Sequence, residues 1–196
     1  MKKILIALLA LTLCIGLVAC GNSDDAAETT TAETTVENSA AEGVIAPEID
    51  SASVGGQHWD AFTAAIADDA DATAEELANT LVSLEINQFM GGALPVDPEY
   101  FPGFDNYLPT GYESGAMFMP MIGSIAYVGY VFELPEDADA AAFIADLEAN
   151  ANPRWNICVE ADQVVAGAVG NKVLFLMCPS TYEMPTEDGG DMGMAL

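Results

Sequence analysis

Positive charge is what this chain has least of. Its 196 residues include 4 Lys or Arg and one histidine, His58, against 31 Asp or Glu. A surface this acidic repels phosphate backbones, which excludes nucleic acid as a partner. It repels anionic lipid headgroups in the same way, so charge cannot hold the chain at a membrane. Catalytic motifs are absent as well. There is no HExxH, no CxxC and no phosphate-binding glycine loop. His58 and Asp60 are two residues apart and fall on different faces of a helix. Gly111-Tyr-Glu-Ser-Gly115 misplaces the serine for a nucleophile elbow. Among 31 acids some carboxylates lie close by chance, so no glycosidase pair follows from the sequence.

Long apolar runs are equally scarce, and the single one has a function of its own. Met1-Lys2-Lys3 is a short basic start, and Ile4 to Ala19 follows without a charge. That run is shorter than the roughly 20 residues a membrane-spanning helix needs. A basic start and a short apolar stretch predict a secretion signal. The run ends Leu17-Val18-Ala19-Cys20-Gly21, which resembles the lipobox of bacterial lipoproteins. The resemblance implies that residues 1–19 are removed and that the Cys20 thiol carries a diacylglyceryl group as a permanent thioether. Two or more acyl chains anchor stably where one exchanges. Removal takes Lys2 and Lys3 and no acid, leaving Arg154 and Lys172 as the only basic side chains apart from His58. Such charge favours solubility and cationic partners.

Of the four cysteines, Cys14 goes with the signal and Cys20 takes the lipid, leaving Cys158 and Cys178. Two thiols outside the cytoplasm are expected either to pair as a disulfide or to stand as separate buried thiols. The disulfide is the preferred expectation, and it forbids a Cys158–His58 nucleophile pair.

Residues 20–53 hold no aromatic side chain and are rich in Ala, Thr, Glu, Asp and Ser. They cannot bury enough apolar surface to offset chain entropy, which predicts a disordered tether with a reach of about 30 Å. The acidic tail 183–196, with Gly189-Gly190-Asp191, reads the same way. Between them, 54–182 is the right length for one domain. Trp59, Phe62 and Ile66 lie on one helical face. Thr73-Ala-Glu-Glu76 is a capping box opening a second helix with Leu77, Leu81 and Leu84 as its stripe. Residues 112–121 and 124–134 read as strands. The second is apolar on both faces, Ala126, Val128, Tyr130, Phe132 and Leu134 against Ile125, Tyr127 and Val131. Pro135 and Asp137 are expected to open a helix with Ala140, Phe143, Ile144 and Leu147 inward, ended by Asn150 and Pro153. Gln163–Val169 and Lys172–Cys178 flank Gly170-Asn171 as a hairpin, with Val169 opposite Lys172 and Gln163 opposite Cys178. This order predicts an α+β two-layer domain, an antiparallel sheet of about four strands with helices packed on one face.

Phe89-Met-Gly-Gly-Ala-Leu-Pro-Val96, Pro120-Met-Ile-Gly-Ser124, Arg154-Trp-Asn-Ile-Cys158 and Gly170-Asn-Lys-Val173 resemble segments of small lipoproteins of Gram-positive gut bacteria. The resemblance covers most of residues 55–180. It implies a lipid-anchored α+β domain and brings no catalytic residue with it.

Three constellations remain. Residues 88–109 interleave prolines and the acids Asp97, Glu99 and Asp105 with Phe89, Tyr100, Phe101, Phe104 and Tyr107. Long irregular segments are often functional, and aromatic faces beside carboxylates suit a cation, a sugar or a protein partner. The competing reading is a loop whose aromatics seal the core. Met117, Met119 and Met121 alternate, as Cu(I) ligands or as core filler, and Met192 and Met194 repeat the spacing. Asp68-Asp-Ala-Asp71 has the acids for Ca²⁺, but an EF-hand loop begun at Asp69 would put Ala74 and Thr80 where Gly and Glu belong. The expectation is a non-enzymatic, lipid-anchored extracytoplasmic module without metal or cofactor. It binds an envelope protein or a cationic or small ligand through Tyr100, Phe101, Phe104 and Tyr107. The opposing expectation is an exported hydrolase or a Ca²⁺- or Cu(I)-handling protein.

Overall fold

The computed structural model describes residues 43–156 and 158–182. Cys20, the signal, residues 20–42 of the tether and the tail from Glu183 lie outside them. The elements are β1 (Val44–Ile45), α1 (Val54–Asp68), α2 (Ala74–Val82), β2 (Gly91–Pro95), β3 (Ser114–Pro120), β4 (Val128–Glu133), α3 (Ala140–Asn150), β5 (Gln163–Val169) and β6 (Lys172–Cys178). They make an α+β domain with one sheet of order β1-β5-β6-β4-β3-β2, antiparallel throughout. The sheet has six strands, not four.

Local signals act where expected. Ser53 Oγ accepts the Gly56 N–H at 3.1 Å and starts α1. Thr73 and Glu76 close both halves of the capping box on α2. The β5–β6 hairpin pairs Val169 with Lys172 and Gln163 with Cys178. Helix α3 begins later than its sequence implied. Asp139, not Pro135 or Asp137, is the cap, its carboxylate accepting the Ala142 N–H at 3.0 Å.

The two-layer expectation is corrected, because the helices lie on both faces. Helices α1 and α2 cover one, packing Phe62, Leu77 and Leu81 on Phe118, Val131, Leu174 and Leu176. Helix α3 covers the other, packing Phe143, Ile144 and Leu147 near Phe132, Val173 and Phe175. Strands β4 and β6 are apolar on both sides, and a sheet with two apolar faces needs a cover on each. Helix α3 is too short to supply the second alone, and the segment 96–107 completes it with Val96, Phe101, Phe104 and Tyr107.

Two further expectations are corrected. The ordered chain begins before residue 54: Val44 and Ile45 pair with Val169 and Ala168, and Ile49 packs on the core. The disulfide is not formed. Cys178 is a free thiol buried on the α1–α2 face, 3.8 Å from its cross-strand partner Gln163, and Cys158 is a free thiol exposed in a turn.

Candidate functional site

The site is best built from the β2–β3 ladder, which carries two distant segments to one end of the sheet. Gly91 pairs with Pro120, and the Met121 N–H donates to the Met90 carbonyl at 2.9 Å just beyond it. The turn 121–125 then lies beside Phe89 and Met90. Between them is an open groove of about 510 Å³ lined by Phe89, Met90, Pro120, Met121, Ile122, Ser124 and Ile125. Its walls are mostly apolar, yet Met90, Met121 and Ile122 are 80%, 74% and 75% exposed. Isolated exposed apolar residues are ordinary, but three around one concavity mark an interaction surface. Ser124 and Ile125 also line an adjoining, more polar cleft of about 660 Å³ with Glu160, Asp162 and Tyr182.

Phe89 backs onto a buried polar cluster in the core. His58 Nδ1 is 2.7 Å from the Val54 carbonyl, and its Nε2 is 2.7 Å from the Tyr127 hydroxyl. A carbonyl only accepts, so Nδ1 carries the proton. Burial pushes the imidazole below its ordinary pKa, against the opposing pull of the Val54 carbonyl. The ring is therefore neutral at pH 7, and Tyr127 donates to Nε2. Asn87 stands beside both. Its Nδ2 donates to the Leu81 and Val82 carbonyls at 2.8 and 3.1 Å, fixing the turn that leads to Phe89 and Met90. Its Oδ1 is buried without a partner among the described residues. Phe89 lies edge-on to Tyr127, ring centroids 4.8 Å apart, and edge-on to Tyr182 at 6.2 Å.

A group held neutral in the folded state and protonated in the unfolded one stabilises the fold above its unfolded pKa. That contribution is lost as pH falls below it. Between pH 6.5 and 5, wild type should lose stability relative to His58→Asn with a slope of up to about 1.4 kcal/mol per pH unit. Urea titrations of both chains across that window check this, and parallel curves refute it. The comparison also cancels the relief of carboxylate repulsion that acid brings to both chains.

The aromatic segment divides between the core and the surface. Phe104 is 4% exposed and packs against Tyr130 and Phe175. Phe101 stacks on Phe104, centroids 4.7 Å apart. The Tyr107 hydroxyl donates to Asp146 of α3. These three seal the second face, and only Tyr100, at 52% exposure, stands outward, its hydroxyl 3.8 Å from the Met119 sulfur. A cavity of about 350 Å³ beside them is lined by Pro98, Glu99 and Asn106 as well. The methionine row also divides: Met117 is buried, Met119 packs on the same core and Met121 belongs to the groove. Met192 and Met194 lie outside the described residues. Asp69 accepts the Asp71 N–H at 3.0 Å, a turn between helices. Burial pushes the Cys178 thiol up to about 12, so it is no nucleophile at neutral pH.

The groove leaves little trace in the sequence. Its only signal was apolar residues at turn positions, Met90 before Gly-Gly and Met121-Ile122 before Gly-Ser. No family model, curated protein or solved structure matches the chain.

Proposed function

We propose that this chain is a lipid-anchored extracytoplasmic binding module, and that the groove at Met90, Met121 and Ile122 is where it holds its partner. The observation that carries the reading is an apolar concavity open to water on a strongly acidic protein. Three large side chains left in water at the rim of one cavity are costly for a solitary domain and useful to one that docks. The complementary partner is a segment presenting apolar side chains beside Lys or Arg. The apolar side fills the groove, while long-range attraction to the 31 acids speeds encounter. Hydrolysis has less support, because His58 spends both ring nitrogens on buried hydrogen bonds and Cys178 is buried.

The test uses a labelled amphipathic peptide with leucines on one helical face and lysines on the other, titrated into the chain from Cys20 to Leu196. Ile122→Glu should weaken binding by at least about tenfold, a loss typical of one anchor residue. It should leave the melting temperature unchanged, because Ile122 is exposed. Tyr100→Glu should leave affinity intact, and the reverse pattern would move the site to the aromatic segment. The intact mass of the membrane-extracted protein should correspond to a chain starting at a diacylated Cys20. A mass that includes residues 1–19 removes the anchor from the proposal.

A further inference from the structure

The described chain ends in the cleft that adjoins the groove. Ser180 is fixed there, its carbonyl accepting the Val54 N–H at 3.0 Å and its N–H reaching Asp162 at 3.0 Å. Tyr182, two residues on, lines the cleft that shares Ser124 and Ile125 with the groove and rests its ring on Phe89. Residues 183–196 leave from this point and read Glu-Met-Pro-Thr-Glu-Asp-Gly-Gly-Asp-Met-Gly-Met-Ala-Leu. The acids of this tail, Glu183, Glu187, Asp188 and Asp191, all precede Met192. The last five residues are uncharged in their side chains and place Met192, Met194 and Leu196 at alternate positions.

We infer that the segment Met192–Leu196 occupies the groove of its own chain and is displaced when a partner binds. This rests on the reading of the groove as a binding surface and names what regulates it. Three observations favour this occupant. The first is reach: ten extended residues span up to about 35 Å, while a domain of this size has a radius of gyration near 15 Å. The groove, whose edge adjoins Tyr182, is well inside that range. The second is pattern. Residues at alternate positions of an extended segment share one side, which aligns Met192, Met194 and Leu196 for a groove walled by Met90, Met121 and Ile122. Flexible thioethers on both surfaces conform to each other without a preformed fit. The third is tethering. A short linker holds its end at an effective concentration on the order of millimolar, so a contact too weak to form between separate molecules forms within one. Charge then supplies the release. The acidic spacer gains nothing from an acidic domain, whereas a lysine-bearing partner is attracted by both.

The experiment labels the methionine methyl groups of the full chain from Cys20 to Leu196 with ¹³C. Nuclear Overhauser contacts are expected between the Met192 or Met194 methyls and those of Met90 or Met121. Ile122→Glu should abolish them and move the tail methyls to their positions in a free peptide of residues 183–196. A combined Met192→Ser, Met194→Ser, Leu196→Ser variant should bind the amphipathic peptide about tenfold more tightly if the tail covers the groove nine-tenths of the time. Tail methyls already at free-peptide positions in the wild type would overturn the inference. So would contacts seen only between differently labelled copies, since the occupant would then be a second molecule. An amphipathic peptide that binds both chains equally, with no tail contacts, removes this inference and leaves the groove standing. A peptide that binds neither chain counts against the groove as a partner site, while the methyl contacts alone decide where the tail lies.

Discussion

Gly129→Ala should lower the stability of the domain by about 3 kcal/mol, the upper end of what one added methyl costs in a packed interior. Gly129 faces Phe118 across the β3–β4 ladder, and the phenyl ring lies directly over its Cα. A methyl there would meet Cζ, Cε1 and Cε2 of that ring at 2.1, 2.5 and 2.6 Å. An exposed ring would swing aside at little cost. Phe118 is fully buried, packed edge-on to Tyr127 with centroids 6.0 Å apart and enclosed by the α1–α2 core. The glycine is thus the space an aromatic neighbour fills, an arrangement that stabilises sheets otherwise weakened by glycine. The melting temperature should fall by roughly 10 °C. Phe118→Leu shrinks the obstructing group, so the double variant should be more stable than the sum of the two single losses by about 1 kcal/mol. Strict additivity, or a Gly129→Ala chain melting with the wild type, would mean that the ring is free to move.

What the sequence disclosed follows the range of the interactions involved. The β5–β6 hairpin was legible to the residue because Gly170-Asn171 and two flanking apolar runs define it within sixteen positions. The capping box on α2 and the end of α3 at Asn150 are equally local. Strand β1 is two residues set in an Ala/Thr/Glu-rich stretch, and its partner Val169 lies more than a hundred positions away. Strand β2 reads Gly-Gly-Ala-Leu-Pro, which is turn chemistry. It is held extended by β3 alone, and an edge strand tolerates its proline. The second face was half legible: the sequence showed β4 apolar on both sides, but not that an irregular segment would supply half the cover. The disulfide failed for a related reason. The register that puts Gln163 opposite Cys178 gives the cysteine its neighbour and leaves Cys158 outside.

The groove was the least legible feature, since neither wall means anything alone. Phe89-Met90 reads as the start of an irregular segment, and Met121 as the last residue of a strand with Ile122 just past it. Only the pairing of Gly91 with Pro120 makes a surface of them. Aromatic side chains beside acids at 100–107 suit a ligand, yet aromatic rings are also what a sheet recruits to cover an exposed face, and here Phe101, Phe104 and Tyr107 do that. His58 shows the same limit. A lone histidine carries no pattern, and its role appears only once α1, Asn87 and β4 converge on it.

Glu133→Ala should cost about 3 kcal/mol, because it leaves an ammonium group buried without its counter-charge. Lys172 is 6% exposed, unusual for lysine and more so in a chain with so few cations. Its Nζ lies 2.9 Å from Glu133 Oε1, and the two residues face each other across β4 and β6. The Ser114 hydroxyl donates to the same carboxylate from β3, so the pair joins three strands. Partial burial works to raise the Glu133 pKa, but the hydrogen bonds from Ser114 and Lys172, with the charge on Lys172, outweigh it and hold the carboxyl below its ordinary range. The linkage follows from that sign: the stabilisation is complete above the ordinary carboxylate pKa and fades as pH falls through the depressed value. Glu133→Gln should accordingly be destabilised at pH 7 and converge on wild type in acid, as read by urea midpoints. Removing both charges is a different matter, since the cost of taking two ions out of water disappears with them. Glu133→Leu with Lys172→Met should lie within about 1 kcal/mol of wild type. If Glu133→Ala alone were as mild as the double variant, the Lys172 ammonium would have found water, and the pair would not join the strands.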